Sequence, residues 1–181
     1  MTNTKKLKSS SPIDALADHP LFSGAQSVGM LSGENPYHPA EVQGHEQLGN
    51  ELKQMGLQAV ERQGSYGSPE RSWMVYGPTR EQLMDLGRKY GQDSVIFSDK
   101  GKDEMVYTNG DKAGHYHSGT GREIFAENPG DYYTHMPEAN AYLRMGFDFD
   151  NLHPAPMEKS VDLMDIKIGI AQTLLKVLRD G

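Results

Sequence analysis

Short apolar runs of two periodicities, separated by glycine- and proline-rich turns, divide this chain into elements. Ser27 to Ser32 (SVGMLS) is the first run, closed by Gly33-Glu34-Asn35-Pro36. Pro36 disfavours helix at Asn35, so the pattern predicts a strand followed by a turn. From Pro39 to Met55 the residues Val42, Leu48, Leu52 and Met55 recur at helical spacing, and Gly56 stands where a left-handed cap would end a helix; Gly44 and Gly49 weaken that helix. Leu57 to Arg62 and Arg71 to Tyr76 read as two strands joined by the turn residues Gly64 to Pro69, hence a hairpin. A second helix opens at Thr79, with Gln82 completing a capping box, Leu83, Met84, Leu86 and Tyr90 forming the buried stripe, and Gly91 closing it. Ser94 to Ser98 and Glu104 to Thr108 are a fourth and fifth strand around a turn at Asp99 to Asp103.

The order strand, helix, hairpin, helix, strand is that of the split βαβ unit. It predicts an α+β fold, a ferredoxin-like sandwich with two helices on one face of a mainly antiparallel sheet. Glu104 to Thr108 adds a strand, and Ala113 to Pro156 reads as an irregular excursion across the other sheet face. Residues 1–24 are expected to be a basic mobile arm (Met1 to Ser11) and an anchor segment carrying Ile13, Leu16, Leu21 and Phe22, and residues 25–181 a single domain. The domain ends in the clearest helix of the chain, 160–180, capped by Ser160 and bearing Lys176 and Arg179 in its last turn. Its apolar face is wider than packing on one side of a small sheet requires. Two readings follow: deep burial in its own fold, or contact with a second chain through Ile168, Leu175 and Leu178.

Composition narrows the chemistry. The chain has 181 residues, the size of one domain, and its 20 Gly and 10 Pro favour a loop-rich fold over a helical bundle. It has no cysteine, which excludes disulfides, thiolate metal sites and thiol nucleophiles. A formal charge of -7 argues against a basic nucleic-acid face on the folded body. Lys5, Lys6 and Lys8 are the exception: the arm alone suits contact with a nucleic acid or an acidic protein, and equally a solubilising tail. No apolar stretch follows these lysines and no run is long enough to span a bilayer, so the expected location is the cytoplasm of a host cell, or a virion, with no membrane partner.

Three short motifs, Glu34-Asn35-Pro36, Glu70-Arg71-Ser72-Trp73-Met74-Val75 and Tyr90-Gly91-Gln92-Asp93-Ser94-Val95-Ile96-Phe97, occur in an order and spacing that resembles an uncharacterised domain family of bacteria and their phages. The resemblance runs roughly from Met30 to Tyr107. It supports the expected fold and implies a phage or mobile-element accessory protein, and it brings no catalytic residue with it.

Two constellations carry candidate chemistry. Glu34, Asn35, Glu70 and Gln92 fall at strand or helix ends, and a pair of carboxylates beside two amides suits general acid and base work; the structural alternative is an Asx turn, an ion pair with Arg71 and a helix-end hydrogen bond. His115 and His117 share one face of an extended segment, with Asp131 and His135 following, a donor set for a hard or borderline metal or simply solvated loop residues. No cofactor motif is present. The sequence therefore points first to a non-enzymatic interaction or structural protein, with a protein partner or a homo-oligomer engaged through arm, loop and C-terminal helix. The alternative is a small hydrolase or nucleotide-acting enzyme using Glu34, Glu70 and Gln92, with a metal on the histidines.

Overall fold

A computed structural model of the protein describes residues 12–34, 43–66 and 68–156. Lys5, Lys6, Lys8, Asn35 and the expected helix over 160–180, with Ile168, Leu175 and Leu178, lie outside the described residues.

Two short helices, α1 (Pro12–Leu16) and α2 (Pro20–Ser23), lead into β1 (Val28–Leu31). Then follow α3 (Gln43–Gln54), the hairpin β2 (Gln58–Tyr66) and β3 (Pro69–Tyr76), α4 (Arg80–Lys89), β4 (Ser94–Asp99) and β5 (Lys102–Tyr107). β6 (Tyr116–Phe125), β7 (Tyr132–Met136) and β8 (Ala141–Phe147) complete the series. The strands form one closed antiparallel barrel in the order β1-β3-β2-β7-β8-β6-β5-β4, with β1 paired to β3 on one side and β4 on the other.

This corrects the expected ferredoxin-like α+β sandwich. The first four strands stand in the order β4-β1-β3-β2, but the sheet does not stop there. The stretch read as an irregular excursion supplies β6, β7 and β8, which bridge β5 back to β2 and remove both open edges. β6 hid from pattern reading for a physical reason, whereas β8 does display an alternation of Ala141, Leu143, Met145 and Phe147. A strand whose inner face lines a polar-dotted lumen has no apolar alternation to display, and β6 carries His117, Thr120 and Arg122 with a bulge between Gly119 and Gly121.

Alternation along each strand divides two cores. Outward positions Leu31, Val75, Val95 and Val106 pack under Leu48 and Leu52 of α3 and Leu83 and Leu86 of α4. Inward positions Val28, Met30, Met74, Met136 and Leu143 pack against Leu16 and Leu21, so α1 and α2 plug one end of the barrel. Each fully buried leucine contributes about 1.5–3 kcal/mol. The plug is fastened by polar groups: Arg122 pairs with Asp103, donates to Ser98 Oγ and to the Leu21 carbonyl, and lies over the Phe22 ring. Beside it, Arg62 pairs with Glu138 at 2.7 Å and the His19 ring meets the Tyr76 hydroxyl at 3.0 Å.

The helices sit close to the barrel because glycines let them. A Cβ on Gly44 in the first turn of α3 would lie 2.6 Å from the Gly33 carbonyl oxygen, and one on Gly49 would lie 2.5 Å from the Trp73 ring. α4 has the capping box expected of it, Thr79 Oγ1 accepting from the Gln82 backbone N–H and the Gln82 side chain accepting from Thr79.

Candidate functional site

The plug fills one end of the barrel, and the other end holds a cavity of about 880 Å³. All eight strands contribute to its wall, from Met30 of β1 through Glu70 and Ser72 of β3, Ile96 of β4, Met105 of β5 and Thr120 of β6 to Phe147 of β8. The space is therefore the barrel lumen itself, in the size range of small-molecule sites. Its wall is mostly apolar, with Ser32, Ser72, Ser94 and Thr120 as scattered hydroxyls. Its rim is aromatic: Tyr66, Tyr132 and Phe149 all line the cavity although they are 40%, 61% and 64% exposed. Together they leave an exposed aromatic patch at the cavity mouth.

Strand alternation explains which side chains reach the lumen. On β3 the residues Glu70, Ser72, Met74 and Tyr76 share the inner face, while Arg71, Trp73 and Val75 face α3 and α4. Glu70 therefore lies in the cavity wall. Burial, reinforced by the charge of Glu34, pushes its carboxyl up to about 7, and no hydrogen bond or ion pair engages it among the described residues. Tyr66 has its ring flank in solvent but sends its hydroxyl inward to Thr134 Oγ1 at 2.6 Å, and burial of that end pushes the phenol up to about 12. It stays neutral across the physiological range.

Glu34 and Gln92 come to the same end of the barrel as Glu70 but are held by structural bonds. The Glu34 carboxylate accepts from Arg71 Nε at 2.6 Å and from the Arg71 backbone N–H at 3.0 Å. Burial would raise its pKa, yet the Arg71 hydrogen bonds and charge leave it below the usual carboxylate range. Gln92 lines the cavity and donates its amide to the Glu34 carbonyl at 3.1 Å, tying the turn after β1 to the end of α4.

The four candidate metal residues do not converge. His115 lies 3.2 Å from the Lys112 carbonyl, the His135 ring packs at a tilt on Tyr142, and Asp131 is exposed ahead of β7. His117 is buried with Nδ1 at 2.9 Å from the carbonyls of both Asp148 and Asn151; two acceptors there mean that Nδ1 carries the proton. Its ring packs on Phe149, so His117 fastens the turn that carries one rim aromatic. Among the described residues no group of three or more His, Asp or Glu is placed to hold a metal. Sequence reasoning does not reach the rim residues Tyr66, Tyr132 and Phe149: Tyr66 falls among the turn residues of the hairpin, Tyr132 starts an unrecognised strand, and only barrel closure brings them to one cavity.

Residues 33–95 match the model of the family described as Protein of unknown function (DUF3293), so the resemblance to an uncharacterised domain family holds over that stretch. The matched segment covers α3, the β2–β3 hairpin and α4, and it contains Glu34, Glu70 and Gln92. A comparison with curated proteins finds no match. Nothing in these comparisons supports the expected phage association or homo-oligomer. No helix among the described residues is long and apolar enough to cross a membrane.

Proposed function

We propose that this protein is a non-enzymatic binding protein that takes a small, mostly apolar molecule into the open end of its barrel. The observation that carries the reading is the 880 Å³ lumen, walled by all eight strands and rimmed by exposed aromatic side chains. Eight strands give an interior wide enough to hold one small ligand when side chains do not fill it, and here they fill only the plugged half. Shared strands make the wall rigid, so binding requires little reorganisation of the backbone.

The enzymatic alternative draws on Glu70, whose elevated pKa suits a general acid or base. Its expected partner carboxylate is engaged by Arg71 and the Gln92 amide by a backbone carbonyl, so neither of these two groups is free to act with Glu70. The balance favours binding over turnover.

Titration with the neutral fluorescent probe N-phenyl-1-naphthylamine tests the reading. Saturable binding in the micromolar range is expected, with at least a ten-fold loss in Met105→Trp and in Met145→Trp, which fill the lumen from opposite walls. Absence of saturable binding, or equal affinity in correctly folded filled variants, overturns it.

A further inference from the structure

Resting on that reading, we infer that the molecule taken up is an organic cation: an ammonium group, primary to quaternary, on an apolar body, held between the Glu70 carboxylate and the aromatic rim. Glu70 stands in the wall of a largely apolar cavity and has no partner among the described residues, an arrangement that is costly unless the carboxyl stays protonated or a counter-charge arrives. Tyr66, Tyr132, Phe147 and Phe149 line the same space. Their ring faces carry negative quadrupole potential and attract a cation placed over them. A carboxylate and several aromatic faces around one void share a single preferred guest, a soft, weakly hydrated positive charge.

Two further carboxyl groups stand near Glu70. Asp93, in the turn after α4, lines the cavity and forms no ion pair among the described residues. Glu34, from the turn after β1, adds negative potential, although Arg71 holds it. Of the two arginines nearby, Arg71 projects from the outer face of β3 to Glu34, and Arg144 of β8, which also lines the cavity, has its guanidinium paired with Glu123 and lying over the Phe125 ring. Tyr66, facing in from β2, has its phenol pushed up to about 12 by burial and stays neutral near pH 7. An anion would meet unpaired carboxyls. A hard metal ion, which needs about six oxygen ligands, would meet mostly carbon.

Proton linkage gives the assignment a sign. Glu70 is about half protonated near pH 7 when the cavity is empty, and a bound cation must displace that proton. For a quaternary ammonium, which does not titrate, affinity should fall by up to about ten-fold per pH unit below 7 and level off above it. A neutral ligand has no such dependence, and one that hydrogen-bonds to the protonated acid has the opposite.

The test is displacement of N-phenyl-1-naphthylamine by benzyltrimethylammonium, and by its uncharged isostere neopentylbenzene, between about pH 5.5 and 8.5. Expected are stronger displacement by the cation at pH 8 than at pH 6, little change for the isostere, and at least a ten-fold loss of the cation alone in Glu70→Gln. Cation affinity in that variant is read as a displacement constant against the probe's own affinity for it. Should Glu70→Gln fold poorly, proton release on cation binding, measured by calorimetry in two buffers of different ionisation enthalpy, reads the same linkage in the native protein. Probe binding without cation displacement, or cation affinity indifferent to pH and to Glu70, overturns the cation assignment and leaves the cavity reading standing. Failure of the probe itself to bind overturns the cavity reading.

Discussion

Glu70 and Glu34 sit within one structural neighbourhood and titrate in opposite directions, because one faces the lumen without a partner among the described residues and the other meets Arg71. Their contributions to stability therefore oppose each other in pH. Glu70 has a folded pKa of about 7 against an ordinary value of 4.5, so the folded state holds its proton where the unfolded chain has lost it. Stability thus falls as pH rises from about 5 to 8. Such a gap is worth about 3 kcal/mol if fully expressed, and partial exposure of the carboxyl reduces it to about 1–2 kcal/mol. Glu34, depressed by Arg71, contributes stability that is lost as pH falls through its folded value. Urea denaturation of wild type and Glu70→Gln should show the variant gaining about 1–2 kcal/mol on wild type between pH 5 and pH 8. A constant difference across that range would remove the buried-acid account of this residue.

The helices show how an element can be legible in outline and opaque in detail. Helical spacing of Leu48 and Leu52 and the Thr79–Gln82 capping box were sufficient to locate α3 and α4, because both signals are local in sequence. Gly44 and Gly49 read only as weak points in α3. In the folded protein they are contact surfaces, one against the Gly33 backbone and the other against the Trp73 ring. Helix propensity by itself makes Gly44→Ala stabilising by up to about 1 kcal/mol. The added methyl would meet a carbonyl oxygen at 2.6 Å that cannot rotate away, and overpacking of this kind costs about 1–3 kcal/mol. A net loss of about 1–2 kcal/mol is expected, measurable as a lower urea midpoint with unchanged slope.

At the scale of the molecule, closure of the sheet separates a plugged end from an open one. Leu21 is 1% exposed and joins the lumen core, while the backbone carbonyl of the same residue receives Arg122. Leu21→Ala should cost about 2–5 kcal/mol, since the rigid barrel around the plug cannot collapse onto the vacated space. In thermal unfolding it should lower the transition without weakening probe binding at 25 °C, because the cavity wall does not include Leu21. Loss of probe affinity in a folded Leu21→Ala protein would mean that plug and cavity form one continuous void.

The chain by itself determined what depends on neighbours in sequence: the seven elements from β1 to β5, the hairpin, the capping box, and the gathering of Glu34, Glu70 and Gln92 at element ends. Tertiary structure alone decided the rest. β6 shows no apolar alternation, because its inner face carries His117, Thr120 and Arg122. β8 does alternate, with Ala141, Leu143, Met145 and Phe147 on one face, and only the long-range pairing of β7 with β2 and of β6 with β5 decides what that face closes upon. Closure is a property of the whole sheet and is written in no single strand. It turned Glu70 inward to an apolar wall, gave Glu34 to Arg71, and set Tyr66, Tyr132 and Phe149 around one opening. Residues with identical side-chain chemistry thus took opposite roles, since burial and partnership, which fix the charge of a carboxyl, exist only once the strands have met.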